Sequence, residues 1–272
     1  MPSQLVRSRK ARWSLRYLAI AYVAVLVVVP VGMVFGRAIN QGGQAFVDAM
    51  TSPDSLHAFQ LTAIVAGSAV VINTVFGIVV ALLLARYRFP GKRLLNVIID
   101  LPISVSPIVV GLALILVFGF RTGWFGPTLR NAGFQVIFAT PGMILATSFV
   151  ALPLVVRELL PVLQETGLDQ EQAARSLGAT ALQRFRRITV PTIKWALAYG
   201  VVLSIARCIG EFGAVRVVSG NVTGKTQTVT LLVDQHAEQF EGGAYQLSVV
   251  LILFAALCIV LISFIRPAGA RR

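Results

Sequence analysis

Arg207 and Glu211 lie four residues apart inside an apolar run over about 195–218. On a helix that spacing puts both side chains on one face and within ion-pair reach. Ionisable groups at membrane depth cost free energy, so they face a protein interior or an aqueous path and are functional candidates. The chemistry on offer is electrostatic. A guanidinium attracts an anion, and a neighbouring carboxylate limits how tightly it is held. Arg216 offers a second positive charge, and Gly210 and Gly213 beside Glu211 allow another helix to come close. The plainer alternative is a mutually neutralising pair that fixes helix packing and touches no cargo. Another apolar run, 94–118, carries Asp100, Pro102 and Pro107. Each proline removes a backbone donor and frees a carbonyl. In lipid such groups persist only where protein or water satisfies them, and broken helices of this kind line transport sites. A kink with no role in transport is the alternative. Asp100 is a candidate partner for Arg207 or Arg216, although spacing along the chain says nothing across spans.

Catalytic chemistry is not suggested. His57 and His236 fall in separate stretches between apolar runs, where solvated loops are expected, and neither has a second ligand at metal spacing. Cys208 and Cys258 sit inside apolar runs and read as packing residues. The stretch GNVTGKT (220–226) has three residues between its glycines, where a phosphate-binding loop has four. No Ser/His/Asp or Cys/His arrangement occurs. The expectation is a chain with no catalytic site, no metal and no cofactor, driven by energy from another chain.

The elements that position these residues follow from composition. Of 272 residues, 56% are hydrophobic and 13% are charged, half the charged fraction of a soluble domain. Apolar runs of roughly 18 residues or more are membrane-span candidates. Six occur, at about 17–35, 61–85, 94–118, 137–160, 195–218 and 246–265. The fold class expected is an all-α polytopic membrane protein: a basic arm (1–16), a six-helix permease domain (17–266) and a tail (267–272). The first run is too long for a signal-peptide core and no clear cleavage site follows it, so it is expected to be retained. The net charge of +13 would suggest nucleic acid in a soluble protein. Here the basic residues lie between apolar spans, so lipid headgroups are the partner expected instead. Eighteen Lys and Arg fall in the arm, the 86–93 loop, the 157–194 region and the tail. Four (Arg37, Arg121, Arg130, Lys225) fall on the other side. The positive-inside rule then makes both termini cytoplasmic.

The polar segment 165–191 would face the cytoplasm too. Its core, EQAARSLGATALQRFRRITVP, predicts two short helices. Asp169 caps the first with Gln172 closing a capping box, and Gly178 ends it in the left-handed conformation. Thr180 with Gln183 caps the second, and Pro191 bars its continuation. Ala173, Ala174 and Leu177 present a small-residue surface suited to docking. A basic loop that only fixes topology would explain the arginines but not the Gly and Pro spacing.

Gln172-Ala173-Ala174, then Gly178, Ile188 and Pro191 at their spacings, resemble the EAA loop of ABC importer permeases. That family places its usual Glu where Gln172 stands, with Glu171 one position earlier here. RCIGEFGAVRVVSGN, GKTQT and DLPISVSPIVVGLAL are similar to the sulfate/thiosulfate and molybdate branch, and most similar to its W-type sulfate subunits. The resemblance implies a type I importer of MetI-like architecture. It also implies two ATPase copies on the coupling helices, a T-type second permease subunit and an external sulfate-binding protein, in a bacterial inner membrane. It assigns ATPase coupling to Glu171, Gln172, Ala173, Ala174, Gly178, Ile188 and Pro191. Sulfate and molybdate share charge and shape, so molybdate or tungstate is the nearest alternative cargo. A self-sufficient secondary transporter, with Asp100 and Glu211 carrying protons, and a non-transporting membrane scaffold are readings of other classes.

Overall fold

The computed structural model describes residues 9–239 and 242–265. The first eight residues of the basic arm, Arg266 and the 267–272 tail lie outside them. Every regular element described is helical. The first span is Arg9–Val23 (α1), a π turn Ala24–Val28, and Val29–Asn40 (α2). Then follow Gly42–Thr51 (α3), Pro53–Arg86 (α4), Lys92–Ser104 (α5), Pro107–Phe118 (α6) and Gly126–Asn131 (α7). Thr140–Thr166 (α8), Asp169–Ser176 (α9) and Ala181–Arg184 (α10) lead through a π turn, Phe185–Thr189, into Val190–Ile209 (α11). Gly213–Ser219 (α12), Val229–Glu238 (α13) and Ala244–Ile265 (α14) complete the chain.

Among the described residues five helices are long and apolar enough to cross a membrane. The bent pair α5–α6 makes a sixth if it counts as one span, turning by 114° at its break. The break expected in the 94–118 run is therefore a turn past a right angle. Pro102 is carried inside α5, and the chain breaks at 105–106, so that Pro107 opens α6.

α4, α8 and α11 form the centre. Ser52 caps α4 by accepting from the Ser55 N–H at 3.2 Å, and Pro53 fits its first turn. Along one face of α4, Ala69, Asn73, Gly77, Ala81 and Leu84 are buried, with small residues at helical spacing. Lipid supplies no hydrophobic drive between helices, so close approach of backbones takes its place. A Cβ on Gly77 would lie 2.7 Å from Val155 Cγ1, and one on Gly200 would lie 3.2 Å from Val155 Cα. Val80, Ala81, Leu84, Val155, Leu159, Leu163 and Ile193 form the core at one end of these helices. Leu61, Val65, Val136, Met143, Ala146, Val215 and Leu231 form it at the other. Apolar side chains left outside, such as Val71, Val75 and Val79 on α4 and Leu112 and Leu116 on α6, face the surroundings as a lipid-exposed helix requires.

The segments between spans are more ordered than loops. α3, α7 and α13 are helices there, and His57 and His236 lie half-buried on α4 and α13 rather than in solvated loops. Both free cysteines are buried.

Candidate functional site

The polar segment 165–191 hangs between α8 and α11. Gly167 (φ +66) turns the chain out of α8 so that α9 starts one residue earlier than the capping pattern suggests. Leu168 occupies the cap position and its carbonyl accepts from the Gln172 N–H at 2.9 Å. The Asp169 box does not form; Asp169 and Glu171 instead sit in the first turn, where carboxylates oppose the positive helix end. Gly178 (φ +83) ends α9, as its position predicts, and the Ala179 N–H returns to Ala174 O at 3.0 Å. The second capping box is present: Gln183 N–H donates to Thr180 Oγ1 at 3.3 Å, and Thr180 N–H to Gln183 Oε1 at 2.8 Å.

Pro191 does not stop the helix. The chain runs helically from Ala181 to Ile209, because the π turn Phe185–Thr189 moves the carbonyls out of register with the proline ring. Val190 N–H bonds back to Phe185 O, and Thr192 Oγ1 donates to Ile188 O at 2.7 Å. The missing proline donor is absorbed rather than fatal.

α9 buries none of its residues. Gln172 and Ala173 are exposed, and Leu177 is 88% exposed. A cleft of about 500 Å³ is lined by Ala174, Leu177, Gly178, Gln183, Arg187 and Ile188. Glu171 points the other way, into the bundle, where Arg86 Nη2 meets its Oε1 at 2.9 Å.

The second group lies where two broken helices meet. α11 ends at Ile209, so the 195–218 run is not one span, and Glu211 sits in the gap before α12. The expected pair forms: Arg207 Nη1 lies 2.5 Å from Glu211 Oε2. Glu211 is 3% exposed, and its Oε1 also accepts from the Ala214 N–H at 3.0 Å, holding the start of α12. Its backbone carbonyl accepts from Thr230 Oγ1 on α13 at 2.9 Å. A Cβ on Gly213 would lie 3.1 Å from Pro107 Cβ, so the break of α5–α6 abuts the break of α11–α12. Gly111 packs as closely against Val217. Arg207 and Glu211 thus come together, and Pro107 lies against Gly213 two residues beyond the pair.

Asp100 and Arg216 go elsewhere. Asp100 pairs with Arg157 of α8 through two contacts, one of them Arg157 Nε to Oδ1 at 2.6 Å, and with neither Arg207 nor Arg216. Arg216 pairs with Asp234, and with Glu238 at 3.1 Å, and lies over the Phe212 ring. Each cation found the acid that helix packing supplied across spans. Arg86, Arg157, Thr189 and Asp234 escaped the sequence reading. Arg157 carried the one usable signal, a charge beside Glu158 within an apolar run. Among the described residues no three His, Cys, Asp or Glu gather as a metal site would need.

A helical bundle with paired charges at its breaks and one short polar helix standing clear has the build of a transport-system membrane component. Residues 73–272 match the family described as "Binding-protein-dependent transport system inner membrane component", and the chain belongs to it. It is 48% identical over 240 residues to "Sulfate permease 2, chloroplastic" of Chlamydomonas reinhardtii, an alignment covering 88% of this chain and 65% of that protein. It is 44% identical to "Sulfate transport system permease protein CysW" of a Synechocystis strain, covering 94% of this chain and 93% of that one. In fold it resembles a bacterial ABC transporter involved in the import of the acidic polysaccharide alginate, with a TM-score of 0.75 over 97% of both chains at 19% identity.

Proposed function

We propose that this chain is a pore subunit of an ATP-driven importer that brings sulfate or thiosulfate into the cell. The observation that carries the reading is the coupling segment. α9 buries no residue of its own, yet its ends are fixed by Gly167, Gly178 and the Thr180–Gln183 box, as a surface awaiting a partner should be. Its partner is a separate ATPase, two copies of which would dock on the coupling helices of this chain and of a T-type second permease subunit. Gln172, Ala173, Ala174, Gly178 and Ile188 lie at the contact, with Pro191 setting the entry into α11. An external binding protein delivers the anion, and closure of the ATPase pair switches the pore. ATP hydrolysis belongs to the ATPase, so this chain catalyses nothing.

The excess of Lys and Arg supports cytoplasmic termini and a cytoplasmic coupling segment in a bacterial inner membrane. It also supports the division into arm 1–16, permease domain 17–266 and tail 267–272. Cargo chemistry supports an anion: Arg207 keeps 38% of its side chain exposed beside a buried carboxylate that offsets its charge. Asp100 and Glu211 are each engaged by an arginine, so neither carboxylate stands free as the secondary-transporter reading would have it.

Vesicles containing the subunits are expected to take up labelled sulfate only with ATP and the ATPase present. Gly178→Asp should abolish this uptake while the pore still assembles. A Cβ there meets nothing within 4 Å inside the protein, so what changes is the outward face and the left-handed turn. Uptake by this chain alone would replace the reading with a secondary transporter. Molybdate uptake without sulfate uptake would keep the mechanism and change the cargo.

A further inference from the structure

We infer that Glu171 is a positioning residue that ties the coupling helix to two membrane spans through Arg86, and that its charge serves this tie rather than a contact with the ATPase. The inference rests on the importer reading above. Arg86 is the last residue of α4. Its Nη1 donates to Leu163 O at 2.9 Å and Gly167 O at 2.5 Å, and its Nη2 to Glu171 Oε1 at 2.9 Å. Thr189 Oγ1, in the π turn that leads to α11, donates to the same carboxylate oxygen at 3.0 Å.

The chemistry of the node is specific. Leu163 O belongs to the last turn of α8, where carbonyls lack helical partners and carry partial negative charge. A guanidinium is the side chain whose fork can serve those carbonyls and a carboxylate at once. Arg86 and Glu171 keep only 10% and 19% of their side chains exposed, so solvent screens the pair less than an open surface bridge. One cation therefore joins the ends of α4 and α8 to α9, with Thr189 adding the start of the next span.

Glu171 turned inward on this node is not free to meet a partner. Gln172, Ala173 and Leu177, exposed on the outward side, carry no charge, and the exposed charges of α9 are Asp169 and Arg175 at its two ends. With no buried residue, α9 has little else to hold it, and glycines in left-handed or extended conformations flank it at 167 and 178. A push on an untied α9 would swing the helix on those glycines. A push on the tied helix moves α4 and α8.

The test uses the full transporter in proteoliposomes, with sulfate uptake and phosphate release recorded together. In Glu171→Gln, ATPase copurification should remain within twofold of the parent, ATP hydrolysis should persist, and sulfate carried per ATP should fall at least fivefold. Thr189→Val should fall in the same direction and less. The exchanged pair Arg86→Glu with Glu171→Arg should exceed either single variant in sulfate per ATP, since charge complementarity returns although the carbonyl contacts do not. Amide exchange over 169–176 should quicken in Glu171→Gln in this chain purified without the ATPase, a readout independent of the importer reading. Unchanged exchange together with lost copurification of the ATPase would overturn the inference and make Glu171 a docking contact. Unchanged sulfate per ATP would overturn it too. Absence of ATPase-dependent uptake in the parent protein, by contrast, would count against the importer reading itself.

Discussion

Arg207→Ala is expected to lower sulfate uptake at least tenfold. The substitution leaves the Glu211 carboxylate, 3% exposed, with the Ala214 N–H as its remaining hydrogen-bond donor. Breaking one side of a buried ion pair costs about 3–5 kcal/mol, because a charge stays in a poorly solvated place. Some of the lost uptake would therefore reflect lost protein. The double variant Arg207→Ala with Glu211→Gln separates the two effects. Its amide oxygen can still accept from Ala214, and no orphan charge remains, so expression and assembly should recover. If Arg207 attracts the passing anion, uptake stays low in the double variant. Recovery of uptake along with expression would make the pair a packing device. Glu211→Gln alone should act in the opposite sense on the cargo. The arginine loses its neutralising partner, so labelled sulfate should bind the detergent-purified complex more tightly while net uptake falls through slow release. Arg216, already shared between Asp234 and Glu238, should have the smaller effect as Arg216→Ala. Normal uptake by both Arg207→Ala and Arg216→Ala at normal expression would remove arginine from the translocation mechanism.

Gly77→Leu is expected to lower the stability of the helix bundle. At this position a Cβ alone would approach Val155 to 2.7 Å, and the neighbouring Val156 backbone nitrogen to 3.6 Å. Four added carbons cannot be housed unless α4 moves off α8. Overpacking of a close helix contact costs about 1–3 kcal/mol. For a chain of this size that corresponds to a fall in Tm of roughly 2–12 °C. Gly67 on the same helix has nothing within 4 Å, so Gly67→Leu, which adds the same side chain towards open surroundings, should leave Tm within about 2 °C. Thermal aggregation of the two detergent-purified variants checks this. Equal losses would show that the Val155 contact does not set the effect, since both changes raise helix propensity.

What could be read from the chain depended on distance along it. The left-handed Gly178 and the Thr180–Gln183 box were legible because each is decided within four residues. Arg207 and Glu211 were legible for the same reason. The partner of Asp100 was not, since Arg157 lies 57 residues away and only the packing of α5 on α8 brings them together. Arg86 and Glu171, 85 residues apart, were hidden in the same way. The error at Asp169 has a different origin. The Gly167 turn, whose backbone angles composition does not state, shifts the helix start by one residue. Pro191 misled because proline's ban on continuation holds for α geometry, and the helix left that geometry just before reaching it. The spans were legible as hydrophobic runs, but the end of the fifth was not, because Gly210, Phe212 and Gly213 are apolar or small enough to hide the break that carries Glu211.

The π turn before α11 has a further consequence, which concerns angular phase. An α-helix advances about 100° per residue, and a π turn accommodates one residue beyond the α count. The helical run from Ala181 to Ile209 therefore contains two phases, one set by the Thr180 cap and one by the membrane-embedded face of α11. The turn works as a clutch between them. Side chains of the coupling segment can be indexed toward a partner without rotating the span beneath, and a deletion of one residue within 185–189 would return the run to the α count and bring the Pro191 ring against the carbonyl of the preceding turn.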